Sequence, residues 1–119
     1  MLAVALSGCG SSAAGRPPIV FGITGGNIAP YRVSIQPNGT VRVRGSLQVR
    51  RRQVPAATVR RLRREVQGSN LRSRRCAGTL PDVGSQFIRV GSRTVTVHGG
   101  CDPRFAGVWN DLGQAVGLR

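Results

Sequence analysis

Few side chains in this sequence can do chemistry. The 119 residues hold one histidine, three cysteines and four acids. His98 lies three positions before Cys101 and four before Asp102. It is the only side chain whose ordinary pKa falls near neutrality, so any acid-base step would rest on it, with Asp102 or Cys101 as partner. Cys76, His98 and Cys101 also offer a set of zinc ligands, but the spacing lacks a CxxC pair and a fourth ligand. No GxSxG, HExxH or Walker A run occurs, and Glu65, Asp82, Asp102 and Asp111 are scattered. The glycines of Gly22-Ile-Thr-Gly-Gly-Asn27 do not match GxGxxG and read as a turn. The expectation is therefore a protein that is not an enzyme, with no catalytic residue, no metal and no cofactor.

Cys9 is a different case. The chain opens on an apolar run, and Leu6-Ser7-Gly8-Cys9 resembles the bacterial lipobox, the signal at which a cysteine is diacylated and its leader removed. That resemblance implies a leader remnant over 1–8, a lipidated Cys9 with a small-residue tether over 9–18, and one domain over 19–119. The apolar run is short and no Arg or Lys precedes it, so the leader is expected to extend upstream of Met1. With Cys9 acylated, two cysteines remain, and Cys76 and Cys101 are expected to pair in an oxidising compartment. The competing reading is a cytosolic chain in which Cys9 is a buried thiol and the other two are reduced.

The charge is lopsided. Eighteen basic residues, all of them Arg, face four acids, for a net charge of +14. Such a field draws a domain toward anionic lipid head groups, wall polymers or nucleic acid, and salt should weaken the attraction. The absence of Lys resembles the codon bias of a GC-rich genome, which makes Arg the default cation. The clusters are Arg50, Arg51 and Arg52; Arg60, Arg61, Arg63 and Arg64; and Arg72, Arg74 and Arg75. They read equally as an anion-gripping patch or as solvated surface. Five aromatics occur (Phe21, Tyr31, Phe87, Phe105, Trp109), and none is interleaved with these clusters along the chain. A stacking platform for nucleic acid is thus not apparent in the linear order.

The elements that must position these residues follow from periodicity. Ile19 to Ile23 reads as a first strand. Tyr31, Val33 and Ile35 alternate with polar residues, as do Val41 and Val43 after Asn38-Gly39, a hairpin signal. Leu47 and Val49 continue the alternation, which predicts a third pass with one apolar and one Arg-studded face. Pro55 suits the first position of a helix carrying Ala56, Val59, Leu62 and Val66 on one side. Gln86 to Val90 and Arg93 to His98, joined by Gly91-Ser92, read as a second hairpin. Asp102-Pro103 opens a second helix with Phe105, Val108, Trp109, Leu112 and Val116 on its apolar face, closed by Gly117. The fold expected is α+β: an antiparallel sheet of about five strands, in β-β-β-α-β-β-α order, covered on one face by two helices and stapled by one disulfide.

This layout is similar to small envelope lipoproteins of high-GC bacteria that have no assigned activity. The resemblance rests on Thr24-Gly25-Gly26, the strand from Tyr31 to the Asn38-Gly39 turn, the Arg-rich helix from Pro55 to Val66, and the late pair Cys76 and Cys101. It implies a place on the extracytoplasmic face of the cell membrane, and the protein is expected to be a lipid-anchored monomer. The expected partners are an anionic membrane surface or wall polymer, and an unidentified protein. The alternative is a cytosolic basic module that binds nucleic acid.

Overall fold

Alternation decides which side of each strand is wet. In β1 (Ile19–Thr24), β2 (Tyr31–Ile35) and β3 (Val41–Arg44), the pairs Ile19–Ile35, Phe21–Val33, Ile35–Val41 and Val33–Val43 stand opposite one another on one face. The alternate positions place Arg32, Arg42 and Arg44 on the other face, and all three are exposed. The computed structural model describes residues 16–118. Expectations for Cys9, the leader and most of the tether lie outside the described residues.

Six strands form one sheet in the order β3-β2-β1-β5-β6-β4. β5 (Ser85–Val90) and β6 (Arg93–His98) make the second hairpin, with Gly91 at φ +63° in the tight turn. β1 sits centrally, antiparallel to both β2 and β5. The sixth strand was not expected. β4 (Arg74–Arg75) is two residues long and runs parallel to the end of β6. Two exposed arginines carry no strand signal of their own. They are held because the Cys76 N–H donates to the His98 carbonyl at 2.8 Å and Cys76 is bonded to Cys101. A short, charged strand also makes a well-protected sheet edge.

Two further expectations are corrected. Leu47 and Val49 do not form a third pass, and Val49 makes only an isolated bridge to Leu118. Both are half-buried against the core, so their alternation reflects packing without a ladder. Pro55 is not the first helical residue: α1 spans Ala56–Gly68, and Pro55 caps it with extended ψ of 144° and no side-chain bond. Proline's fixed φ is tolerated at that position as well.

α2 (Pro103–Val116) follows its sequence signals closely. The Phe105 N–H donates to Asp102 Oδ1 at 3.0 Å, Pro103 opens the helix, and Gly117 ends it at φ +66°. Val59 and Leu62 of α1 and Phe105, Val108, Trp109, Leu112 and Val116 of α2 join the apolar strand positions in one cluster. Trp109 meets Phe21 edge-on at 5.7 Å between ring centroids, and its Nε1–H donates to the Gly22 carbonyl at 3.4 Å.

The Asn38-Gly39 turn does more than reverse the chain. Gly39 adopts φ +91°, its N–H donates to the Gln36 carbonyl, and its own carbonyl accepts from Val54 N–H. A Cβ there would overlap the Val54 carbonyl oxygen. Only glycine allows the hairpin and the lead-in to α1 to lie so close.

Candidate anion-binding surface

Both helices pack on one face of the sheet's core cluster, and the opposite strand positions make two rows across the sheet. One row reads Arg44, Arg32, Gly22, Phe87, Thr96 from β3 through β6. The other reads Arg42, Ser34, Val20, Arg89, Thr94. Neighbouring strands are about 4.8 Å apart, so successive members of a row can reach one ligand. Four guanidiniums share these rows with hydroxyls, and no acid stands among them. In the first row Gly22 stands between Arg32 and Phe87 without a side chain, because the Tyr31 carbonyl oxygen occupies the place a Cβ would take. Arg32, Arg44, Phe87, Thr94 and Thr96 line a groove of about 440 Å³ on this side. The arrangement suits binding of an extended or flat anionic group: cations and hydroxyls for its oxygens, one ring for its apolar part.

Phe87 is not interleaved with the Arg50–Arg52, Arg60–Arg64 or Arg72–Arg75 clusters, but it shares a row with Arg32 and Arg44, which lie outside them. In the chain it lies far from Arg32 and Arg44, yet strand pairing sets it two strands from Arg32 with only glycine between. Sequence reasoning saw an Arg-studded face but did not choose Arg32, Arg42, Arg44 or Arg89 as site residues. The signal was present in their alternation with Val33, Val41, Val43 and Ile88.

The ten arginines that were chosen do not gather into one patch. Arg50, Arg51 and Arg52 lie where the chain crosses the end of α2. Arg50 and Arg51 N–H donate to the Gly117 and Val116 carbonyls at 3.0 Å, and Arg51 Nη1 donates to the Gln114 carbonyl at 2.8 Å. Arg51 is therefore a C-terminal cap for α2, where helix carbonyls favour a cation. Arg61 is 3.9 Å from Glu65, and Arg74 is 3.7 Å from Asp102. Arg72 and Arg75 are exposed near the β4 edge. Arg60, Arg63 and Arg64 line one cavity with Arg16, and Arg63 is buried beside the core positions of α1.

The residues first weighed for catalysis or zinc are held in structural bonds. Cys76 and Cys101 form the disulfide, with Cα atoms 5.6 Å apart, so their sulfurs serve each other. The buried His98 ring places Nε2 2.9 Å from the Val83 carbonyl oxygen, which only accepts, so Nε2 carries the proton. Asp102 caps α2 and pairs with Arg74. Together they fasten the end of β6, the β4 edge and the start of α2.

The chain matches no family model, no curated protein and no solved structure.

One titration is built into the helix pair. Burial, a hydrogen bond with the Asp111 carboxyl and that group's charge push Glu65 up to about 7, against the opposing pull of Arg61. Between the ordinary carboxylic range and about pH 7, the folded chain therefore holds a proton that the unfolded chain has released. Stability is present in full at low pH and falls as pH rises through this window. The side chain is partly solvated, so the loss is on the order of 1–2 kcal/mol. Urea unfolding at pH 5 and pH 8 checks this. Glu65→Gln, which mimics the protonated acid, is expected to remove that share of the difference, and an unchanged difference would refute it.

Proposed function

We propose that this chain is a non-catalytic lipoprotein of the bacterial cell envelope, anchored through Cys9, whose Arg face lies against an anionic membrane or wall polymer. The observation that carries the reading is the sheet face away from the helices, where Arg32, Arg42, Arg44 and Arg89 stand in two rows without an acid. The lipobox-like Leu6-Ser7-Gly8-Cys9 supports the anchor, and the Cys76–Cys101 bond fits an oxidising compartment. A polybasic surface and an acyl chain act together: either alone binds weakly, and both hold firmly. An exposed partner surface on the same face would suit an acidic protein equally.

A specific observation also favours the second reading, a cytosolic module for single-stranded nucleic acid. Phe87 lies in an Arg row and could stack one base. A single ring makes a sparse platform, and a disulfide is unusual in a reduced compartment.

Two measurements test the lead reading. Expressed together with its upstream leader in a lipoprotein-processing bacterium, the chain should fractionate with membranes and carry a diacylglyceryl mass at Cys9, and Cys9→Ser should release it. An unacylated soluble product with three free thiols would overturn the proposal. On phosphatidylglycerol vesicles, Cys9→Ser protein should bind in a salt-sensitive way, and adding Arg32→Gln with Arg44→Gln should weaken binding about 30-fold, at about 1 kcal/mol per Arg. Equal binding to phosphatidylcholine, or tighter binding to single-stranded DNA, would count against it.

A further inference from the structure

α1 presents Val59, Leu62 and Val66 to the core, and at position 63 the same helix buries an arginine. Arg63 is 8% exposed, and its Nη2 has no hydrogen-bond partner among the described residues. A buried guanidinium with an unmet donor is costly, and each such group in a folded protein calls for an explanation. The neighbours add to the cost. Arg63 lines a cavity of about 340 Å³ with Arg16, Pro17, Arg60, Arg64 and Gln67, so the walls carry four guanidiniums and no acid. Burial, and then the Arg16 charge, lower the pKa of Arg63 from its ordinary value. Glu65, the one acid on α1, is engaged by Asp111 and Arg61 instead.

We propose that the cavity between α1 and the start of β1 is a phosphate-binding site, in which Arg63 with Arg16, Arg60 and Arg64 holds a phosphate group and Gln67 donates to it. A tetrahedral oxyanion supplies several acceptors to planar donor forks and cancels the mutual repulsion of the four cations. A chloride ion would offer no such geometry. The source of the phosphate is a membrane lipid head group or a free phosphate, and only the first depends on the envelope reading. Arg16 lies seven residues after Cys9, and seven residues span at most about 25 Å, which places a lipid beside the anchor within reach.

The test uses the full chain as Cys9→Ser with the disulfide intact. Inorganic phosphate, titrated against chloride at constant ionic strength, should shift the Arg63 guanidinium nitrogen signal saturably and raise Tm by several degrees. Arg63→Met keeps the aliphatic volume without the unpaired charge, so it should fold with an equal or higher Tm and lose the phosphate response. Should that variant fail to fold, Arg60→Gln with Arg64→Gln, both exposed, should weaken phosphate binding at least tenfold. An Arg63 signal that ignores phosphate, or responds equally to chloride, overturns the site. Phosphatidylglycerol vesicles that move the same signal assign the lipid as its source. Movement with inorganic phosphate alone upholds the site and assigns a soluble phosphate, without support for the envelope reading.

Discussion

Replacement of both Cys76 and Cys101 by serine is expected to cost about 3.5 kcal/mol of stability, the chain-entropy value for a closed loop of 25 residues. A domain of this size holds about 5–15 kcal/mol in all, so the loss lowers Tm by roughly 15–25 °C. The structure adds a local component. The bond ties the residue after β4 to the residue before the Asp102 cap, so its removal frees the Cys76 N–H bond to His98 and the two-residue β4. Thermal unfolding with and without reductant measures the total. Amide exchange should show Arg75 and Cys76 losing protection before the β1 and β5 amides. A loss below about 1 kcal/mol would mean that β4 and the cap hold without the staple.

Trp109→Ala is expected to cost about 3–5 kcal/mol, the range for removing a large aromatic from a packed core. Trp109 is buried against Phe21 and satisfies the Gly22 carbonyl in the central strand. Alanine removes the edge-to-face pair and the donor together, and leaves a cavity behind the middle of β1. Trp109→Phe keeps a ring for Phe21 and loses the donor. At 3.4 Å that hydrogen bond is long, so its loss should fall near 1 kcal/mol. The order wild type, Phe, Ala in urea midpoints is the expected result. A phenylalanine variant as unstable as alanine would place the energy in the hydrogen bond instead of the packing.

Much of the fold was legible because its rules act over short spans. The alternation of Tyr31, Val33 and Ile35 depends on the pleat alone, and Asp102-Pro103 and Gly117 mark helix ends through bonds within a few residues. Gly91-Ser92 likewise joins two strands with only two residues between them. Leu47 and Val49 show the limit of that logic, since alternation without a neighbouring ladder yields half-buried side chains and no strand. β4 is the converse: a strand without strand-like residues, held by a cystine and by its neighbour's free edge.

The candidate site was less legible. Runs of arginine drew attention to Arg50–Arg52 and Arg72–Arg75, yet Arg51 caps α2 and Arg74 pairs with Asp102. Arginines that alternate with apolar residues, which look unremarkable in sequence, produce the cationic sheet face. Arg63 is one of four similar arginines on α1 in sequence, and only packing of that helix buries it.

From composition, spacing and local periodicity came the class of the domain, the strong positive charge, the hairpins and the helix boundaries at α2, while the pairing of the late cysteines followed from the lipobox resemblance that sets Cys9 aside. Tertiary structure alone decided the strand order, the place of β4, the alignment of Phe87 in one row with Arg32 and Arg44, and the burial of Arg63. The reason is physical: local signals arise from contacts a few residues apart, whereas strand neighbours and helix docking are chosen by burial of apolar surface between segments tens of residues apart.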